Sequence, residues 1–165
     1  NIKGGVMAAD FLVQKLGEGA EVAELEGIPG ASATRERGEG FHNIADNKLK
    51  VLAKQSADFD RSKGLTVAEN MIQANAGIKA IFAHNDEMAL GAISAAKSAN
   101  KNIMIVGFDG TEDGMKAVED GDLVATIAQQ PDKMGEMGVD AAVKLAKGES
   151  VEKNIAIDLK LVQKQ

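Results

Sequence analysis

Short apolar segments with strand character alternate with longer segments of helical periodicity along the whole chain. A chain patterned this way folds as an α/β domain: a three-layer arrangement of a parallel sheet with helices on both faces. Val6, Ala9, Val13 and Leu16 recur at helical spacing and are closed by Gly17 and Gly19, so a helix enters before any strand. VAELEG (22–27) has the β-branched, apolar character of a short buried strand. The pattern then predicts a helix over 32–46, the strand KVLAKQ (50–55), a helix over 62–75, the strand AIFAHN (80–85), a helix over 86–98 and the strand IMIVGF (103–108). A short helix over 112–119, the strand VATIAQ (124–129), a helix over 131–147 and the strand AIDLKLV (156–162) complete it. Pro131 suits a first helical turn, Gly148 suits the residue after a helix, and GIPGAS (27–32) is a loop.

In an open α/β sheet the carboxyl ends of the strands line the ligand crevice. Two segments put polar side chains there: FAHNDEMALGA (82–92) places Asn85, and VGFDGT (106–111) places Asp109, where a strand runs out into the turn before a helix. Asp86 is expected to cap the helix that follows Asn85. Arg37 near the start of the second helix, Gln129 where VATIAQ meets Pro131, and Phe59 with Asp60 in the turn after KVLAKQSA fall at the same rim. Arg, Asn, Asp and Gln are planar groups that each engage two adjacent hydroxyls, and Phe59 adds an apolar plate. A sugar ring asks for this mixture, having an edge of hydroxyls and faces of C–H groups.

Each residue also has a plainer reading. Arg37 lies in TRERGEG (34–40), where arginines among glutamates describe a solvated helix face, and Asn85 and Asp109 suit turns. Gln129 suits a helix entry, Phe59 a core position, His84 a partly exposed strand residue, and Met88, Met134 and Met137 simple packing.

Other chemistries lack their residues. With 165 residues, a net charge of -6 and no basic stripe, the chain has room for one core and nothing to neutralise phosphates, so nucleic acid is not a partner. The absence of cysteine and the presence of only two histidines, His42 and His84, speak against zinc or any other metal. Neither GxGxxG nor GxxxxGK[ST] occurs, so no nucleotide cofactor is expected. FDGT resembles the end of the aspartyl-phosphate signature DxDGT, but Gly107 stands where its nucleophile belongs. No GxSxG elbow occurs, and an enzyme is not expected. No apolar run reaches the roughly 20 residues that span a bilayer. The chain begins at Asn1 and reads as part of a longer protein.

ELEGIPGASATRERGEGF, ADFDRSKGL, FAHNDEMALGA, VGFDGTEDG, ATIAQQPDKMG and DLKLVQKQ together resemble, in order and spacing, the carboxyl-terminal half of bacterial D-ribose-binding proteins, within the sugar-binding family of periplasmic binding proteins. The resemblance implies that Arg37, Phe59, Asn85, Asp109 and Gln129 contact ribose or a closely related monosaccharide. It implies a non-enzymatic solute-binding component delivering sugar to the membrane permease of an ABC transporter, and to a chemoreceptor. The location it implies is periplasmic or extracytoplasmic, with a lipoprotein anchor as a variant. Such proteins clamp the sugar between two lobes joined by three crossing segments. Residues 1–129 with 155–165 then correspond to the carboxyl-terminal lobe, and 130–154 to a segment that packs on the amino-terminal lobe. Without that lobe the helix over 131–147, with Met134, Met137, Ala141 and Leu145 as an apolar stripe, is expected to self-associate or to fold back on its own sheet. The effector-binding domain of a repressor of the lactose or purine type shares the fold and stands as the alternative.

Overall fold

A computed structural model describes residues 1–164. Its elements run α1 (Ile2–Leu16), β1 (Glu21–Glu26), α2 (Ser32–Lys48), β2 (Lys50–Ser56), α3 (Arg61–Ala74), β3 (Ala80–Ala83), α4 (Asp86–Ser98), β4 (Met104–Asp109), α5 (Glu112–Asp120), β5 (Ala125–Ala128), α6 (Pro131–Ala146) and β6 (Lys160–Gln163). The sheet order is β2-β1-β3-β4-β5-β6. The first five strands are parallel.

The strands alternate their side chains between two apolar layers. Val22, Phe82, Val106, Phe108 and Ile127 face α1 and α2, where they meet Leu12, Phe11 and Phe41. Ala23, Leu25, Ile81 and Ile105 face the opposite way, against Met71 and Ile72 of α3, Met88 and Ala92 of α4 and Val118 of α5. Phe41 stacks on Phe82 at 4.8 Å between ring centroids, joining α2 to the centre of the sheet. Strands β3 and β4 are buried on both faces, which explains why their sequences read as apolar runs rather than alternating ones; β1 is equally buried but carries Glu24 within its run.

Four expectations change. First, β6 pairs antiparallel to β5, so the sheet is mixed, and only Lys160–Gln163 is strand. After β5 the chain leaves through α6 and re-enters the edge at the same end, where Lys160 pairs with Ala128, so the last strand runs the other way. Second, the cap of α4 is Asn85: its backbone is extended and its Oδ1 accepts the Met88 N–H at 3.0 Å. Asp86 is the first helical residue. Third, His84 is fully buried, because Glu24 of β1 supplies a partner for its ring. Fourth, of the methionines read as packing, Met88 is buried but Met134 and Met137 are exposed. No residue of α6 is buried, so this helix does not fold back on the sheet. Gln165, the last residue of the expected lobe, lies outside the described residues.

Candidate functional site

The chain runs from β1 to one side, into β2, and then returns to the other side, into β3. This reversal is a topological switch point, and a crevice opens outside the carboxyl ends of the two strands. Arg37 of α2 lies beside it. The residue is only 6% exposed, and each of its three guanidinium nitrogens has a partner. Nε donates to Asn1 Oδ1 at 3.0 Å, Nη1 donates to the His84 carbonyl, and Nη2 lies 3.1 Å from Asp109 Oδ1. The guanidinium also sits 3.8 Å from the centroid of the Phe108 ring and 5.9 Å from that of Phe59. Gln129 Nε2 donates to the same Asp109 Oδ1 at 2.6 Å, so Arg37, Asp109 and Gln129 form one array.

Burial pulls the two ionic partners toward their neutral forms. Desolvation lowers the Arg37 pKa from its ordinary value, opposed by the Asp109 charge, and raises that of Asp109, opposed by Arg37 and Gln129. Asp109 also holds a positive φ of 118°, a backbone setting rarely taken by a side-chain-bearing residue. A strained, desolvated ion pair at the mouth of a crevice is what a binding site keeps and a stability-optimised surface does not.

Asn85 and Phe59 form the second half of the rim. Asn85 Nδ2 donates to the Phe59 carbonyl at 3.2 Å while its Oδ1 caps α4. Asp58 and Phe59 both have left-handed backbones, with φ of 54° and 60°, and the Phe59 ring lies over Gly27 while also packing against the core. Asp60 caps α3 by accepting the Lys63 N–H at 2.8 Å. The structure therefore brings all five expected residues to one rim, as two hydrogen-bonded groups with Arg37 reaching toward both.

Sequence reasoning missed the residues that support this rim. Asn1 and Phe108 hold Arg37, and no local pattern announces them. Asp86 is fully buried and accepts hydrogen bonds from the Thr111 N–H at 2.8 Å, the Thr111 hydroxyl at 3.1 Å and the Thr126 hydroxyl at 2.7 Å. It bolts α4 to the start of α5 and to β5, fixing Asn85 and Asp109 relative to each other. Glu24, also fully buried, is held by His84 Nε2 at 2.8 Å and His42 Nε2 at 2.8 Å, and His42 Nδ1 lies 2.6 Å from Asp46. Among the described residues no group of acidic and histidine side chains is arranged to hold a metal ion.

His42 faces a carboxylate on each ring nitrogen, which favours the doubly protonated ring, and the hydrogen bond it donates to Glu24 is the main cause of a pKa raised to about 9. A folded-state pKa above the unfolded value of 6.5 contributes stability that is complete below 6.5 and lost as pH rises through about 9. Accordingly, His42→Gln is expected to lower the thermal midpoint at pH 6, and the gap from the parent is expected to close above pH 9. Calorimetry across that range checks this; a gap that does not depend on pH refutes it.

Residues 1–150 match the model of the periplasmic binding protein domain. The chain is 59% identical over 161 residues to the ribose import binding protein of Bacillus subtilis, covering 98% of this chain and 53% of that protein. It is 39% identical over 168 residues to the D-allose-binding periplasmic protein of Escherichia coli, covering 98% and 54%. Among solved structures, an ABC transporter solute-binding protein of Actinobacillus succinogenes with bound D-allose superposes with a TM-score of 0.92 at 31% identity, covering 98% of this chain and 58% of that one. One from Agrobacterium vitis with bound D-fucose gives 0.92 at 34%, covering 99% and 58%. The relatives lend no support to a repressor-type effector domain. The chain spans about half the length of the curated relatives it matches. With a switch-point crevice, a family model matching along nearly its whole length and these relatives, the chain belongs to the periplasmic binding protein domain family.

Proposed function

We propose that this chain is the D-ribose-recognising part of a solute-binding component of an ABC importer, with Arg37, Phe59, Asn85, Asp109 and Gln129 as its contacts. A closely related monosaccharide is the other ligand the same rim accommodates. The reading is carried by the Arg37–Asp109–Gln129 array beside Asn85 and Phe59, in a chain 59% identical to a ribose import binding protein. Arg37 and Asn85 donate to hydroxyls, Asp109 accepts from them, and the Phe59 ring offers its face to ring C–H groups. Binding, not catalysis, is the role. The same relatives support a periplasmic location and a membrane permease as the partner; a chemoreceptor contact and a lipid anchor lack that support.

In this reading residues 1–129 with 155–165 are one lobe, and 130–154 dock on a second. The exposure of Met134, Met137 and Leu145 on a helix without buried residues supports that division.

The chain has no Trp or Tyr, so nitrogen–proton NMR is the suitable assay. Titration with D-ribose to the order of ten millimolar, the range of a weak half-site, is expected to give saturable shifts confined to the five named residues. A well-dispersed spectrum without shifts sinks the half-site reading.

A further inference from the structure

Behind the rim lies a buried charged cluster that the ligand contacts do not use. Glu24 stands in the middle of β1, fully buried, and is shared by two imidazoles from different elements: His42 of α2 and His84 at the end of β3. His84 Nδ1 is buried with no hydrogen-bond partner among the described residues. That orphan fixes the tautomer. With Nε2–H donating to Glu24, Nδ1 keeps a lone pair; the other tautomer buries an N–H without an acceptor and sets a lone pair against a carboxylate. His42 Nε2 donates to the second oxygen of Glu24, and its Nδ1 to Asp46.

The cluster meets Arg37 from two directions. The His84 carbonyl accepts from Arg37 Nη1, so whatever fixes His84 fixes that anchor. Gly38, next to Arg37, faces the cluster so closely that a Cβ there would lie 3.4 Å from both Glu24 Oε1 and the His84 ring. Helix α2 thus carries Arg37 on one turn and His42 on the next, and Glu24 grips α2 and β3 together. We propose that Glu24, through the two imidazoles it holds, is a positioning group for the Arg37 guanidinium, setting α2 against the end of β3 so that one buried cation is aimed at the crevice. This rests on the ligand reading above only for its consequence in affinity.

The ionisable groups involved are Glu24 from β1, His42 and Asp46 from α2 and His84 after β3, while Asp109 from β4 and Asp86 from α4 act directly on Arg37. A glutamine in place of Glu24 keeps the shape but offers one acceptor and one donor, so it cannot receive both imidazole N–H groups.

The test uses the 165-residue chain, compared with Glu24→Gln and His42→Gln, and reads the Arg37 Nε–H resonance without ligand. In the parent this resonance is expected to be protected from exchange with water and to shift with a pH midpoint of about 9 as His42 deprotonates. Glu24→Gln is expected to raise its exchange about tenfold, the population change that losing a charge-assisted hydrogen bond implies, and to weaken D-ribose binding by about the same factor. His42→Gln is expected to abolish the pH step. If the variants melt earlier while Arg37 exchange and its pH profile match the parent, the cluster is only structural and the proposal is overturned. If Glu24→Gln does not fold, His42→Gln, at a part-exposed position, decides by the same readings. If ribose binds to none of these proteins, parent included, the ligand reading fails and the Arg37 resonance alone decides positioning.

Discussion

Arg37→Ala is expected to remove detectable D-ribose binding while leaving the fold intact. The guanidinium is the one group that touches the strand end, the ion-pair partner and the aromatic plates together, through the His84 carbonyl, Asp109, Phe108 and Phe59. Losing a charged donor to the sugar hydroxyls costs about 1.5–3 kcal/mol of binding, or about tenfold upward. A half-site already weak then passes out of range. The cost in stability is expected to be smaller, about 1–2 kcal/mol, because Asp109 is 28% exposed and can hydrate or take a proton. Both partners are shifted toward their neutral forms, so burial costs this pair more than mutual attraction returns. Arg37→Lys is expected to behave like Arg37→Ala in binding, since an ammonium cannot serve Asn1, His84 and Asp109 in one plane or stack on Phe108. Parallel ribose titrations and urea unfolding check both points; ribose-induced shifts in Arg37→Ala like those of the parent refute the assignment of Arg37.

Gly40→Val is expected to be the most destabilising single change on the sheet face that carries the site. A Cβ at Gly40 falls on the Ile2 carbonyl oxygen and 2.8 Å from its carbon, and one at Gly5 falls on the Arg37 carbonyl oxygen and 2.6 Å from the Phe41 nitrogen. These atoms are backbone, so α1 and α2 must separate. The opposite face repeats the device: a Cβ at Gly64 comes 2.8 Å from the Met88 backbone, and one at Gly91 comes 2.5 Å from the Leu65 nitrogen, so α3 and α4 also touch. Overpacking of this kind costs about 3 kcal/mol, a drop of about 10 °C in the thermal midpoint for a chain of this size. Separating α1 from α2 also moves Arg37, so binding falls with stability. Gly138→Ala on α6 is the contrast. Nothing lies within 4 Å of that position, and a gain of up to about 1 kcal/mol in helix propensity is expected. Equal midpoints for the Gly40 and Gly138 variants refute the close-contact account.

Legibility in the sequence followed the range of the interactions. Helix α4 was readable to its ends, Asp86 and Ser98, because strand, cap and helix lie within one continuous segment. The cap itself was misplaced by one residue: Asn and Asp cap equally well, and what settles the choice is that Thr111 and Thr126, far along the chain, claim Asp86. Arg37, Asn85, Asp109 and Gln129 were legible as a rim because strand ends of a parallel sheet share one side. The burial of His84 was not, since Glu24 lies 60 residues away. The direction of β6 was equally hidden, because alternation of strand and helix says nothing about the side from which a chain returns.

That return has a consequence for the order of synthesis. Strands β1 to β5 and the helices that cover them occupy Glu21–Ala128 and the residues before them, and each strand lies beside another from the same stretch. Only β6, added at the outer edge of β5, comes after α6. A chain emerging from the ribosome therefore holds a neighbour for each of its five parallel strands before Lys160–Gln163 is made, and those residues then pair with the free edge of β5.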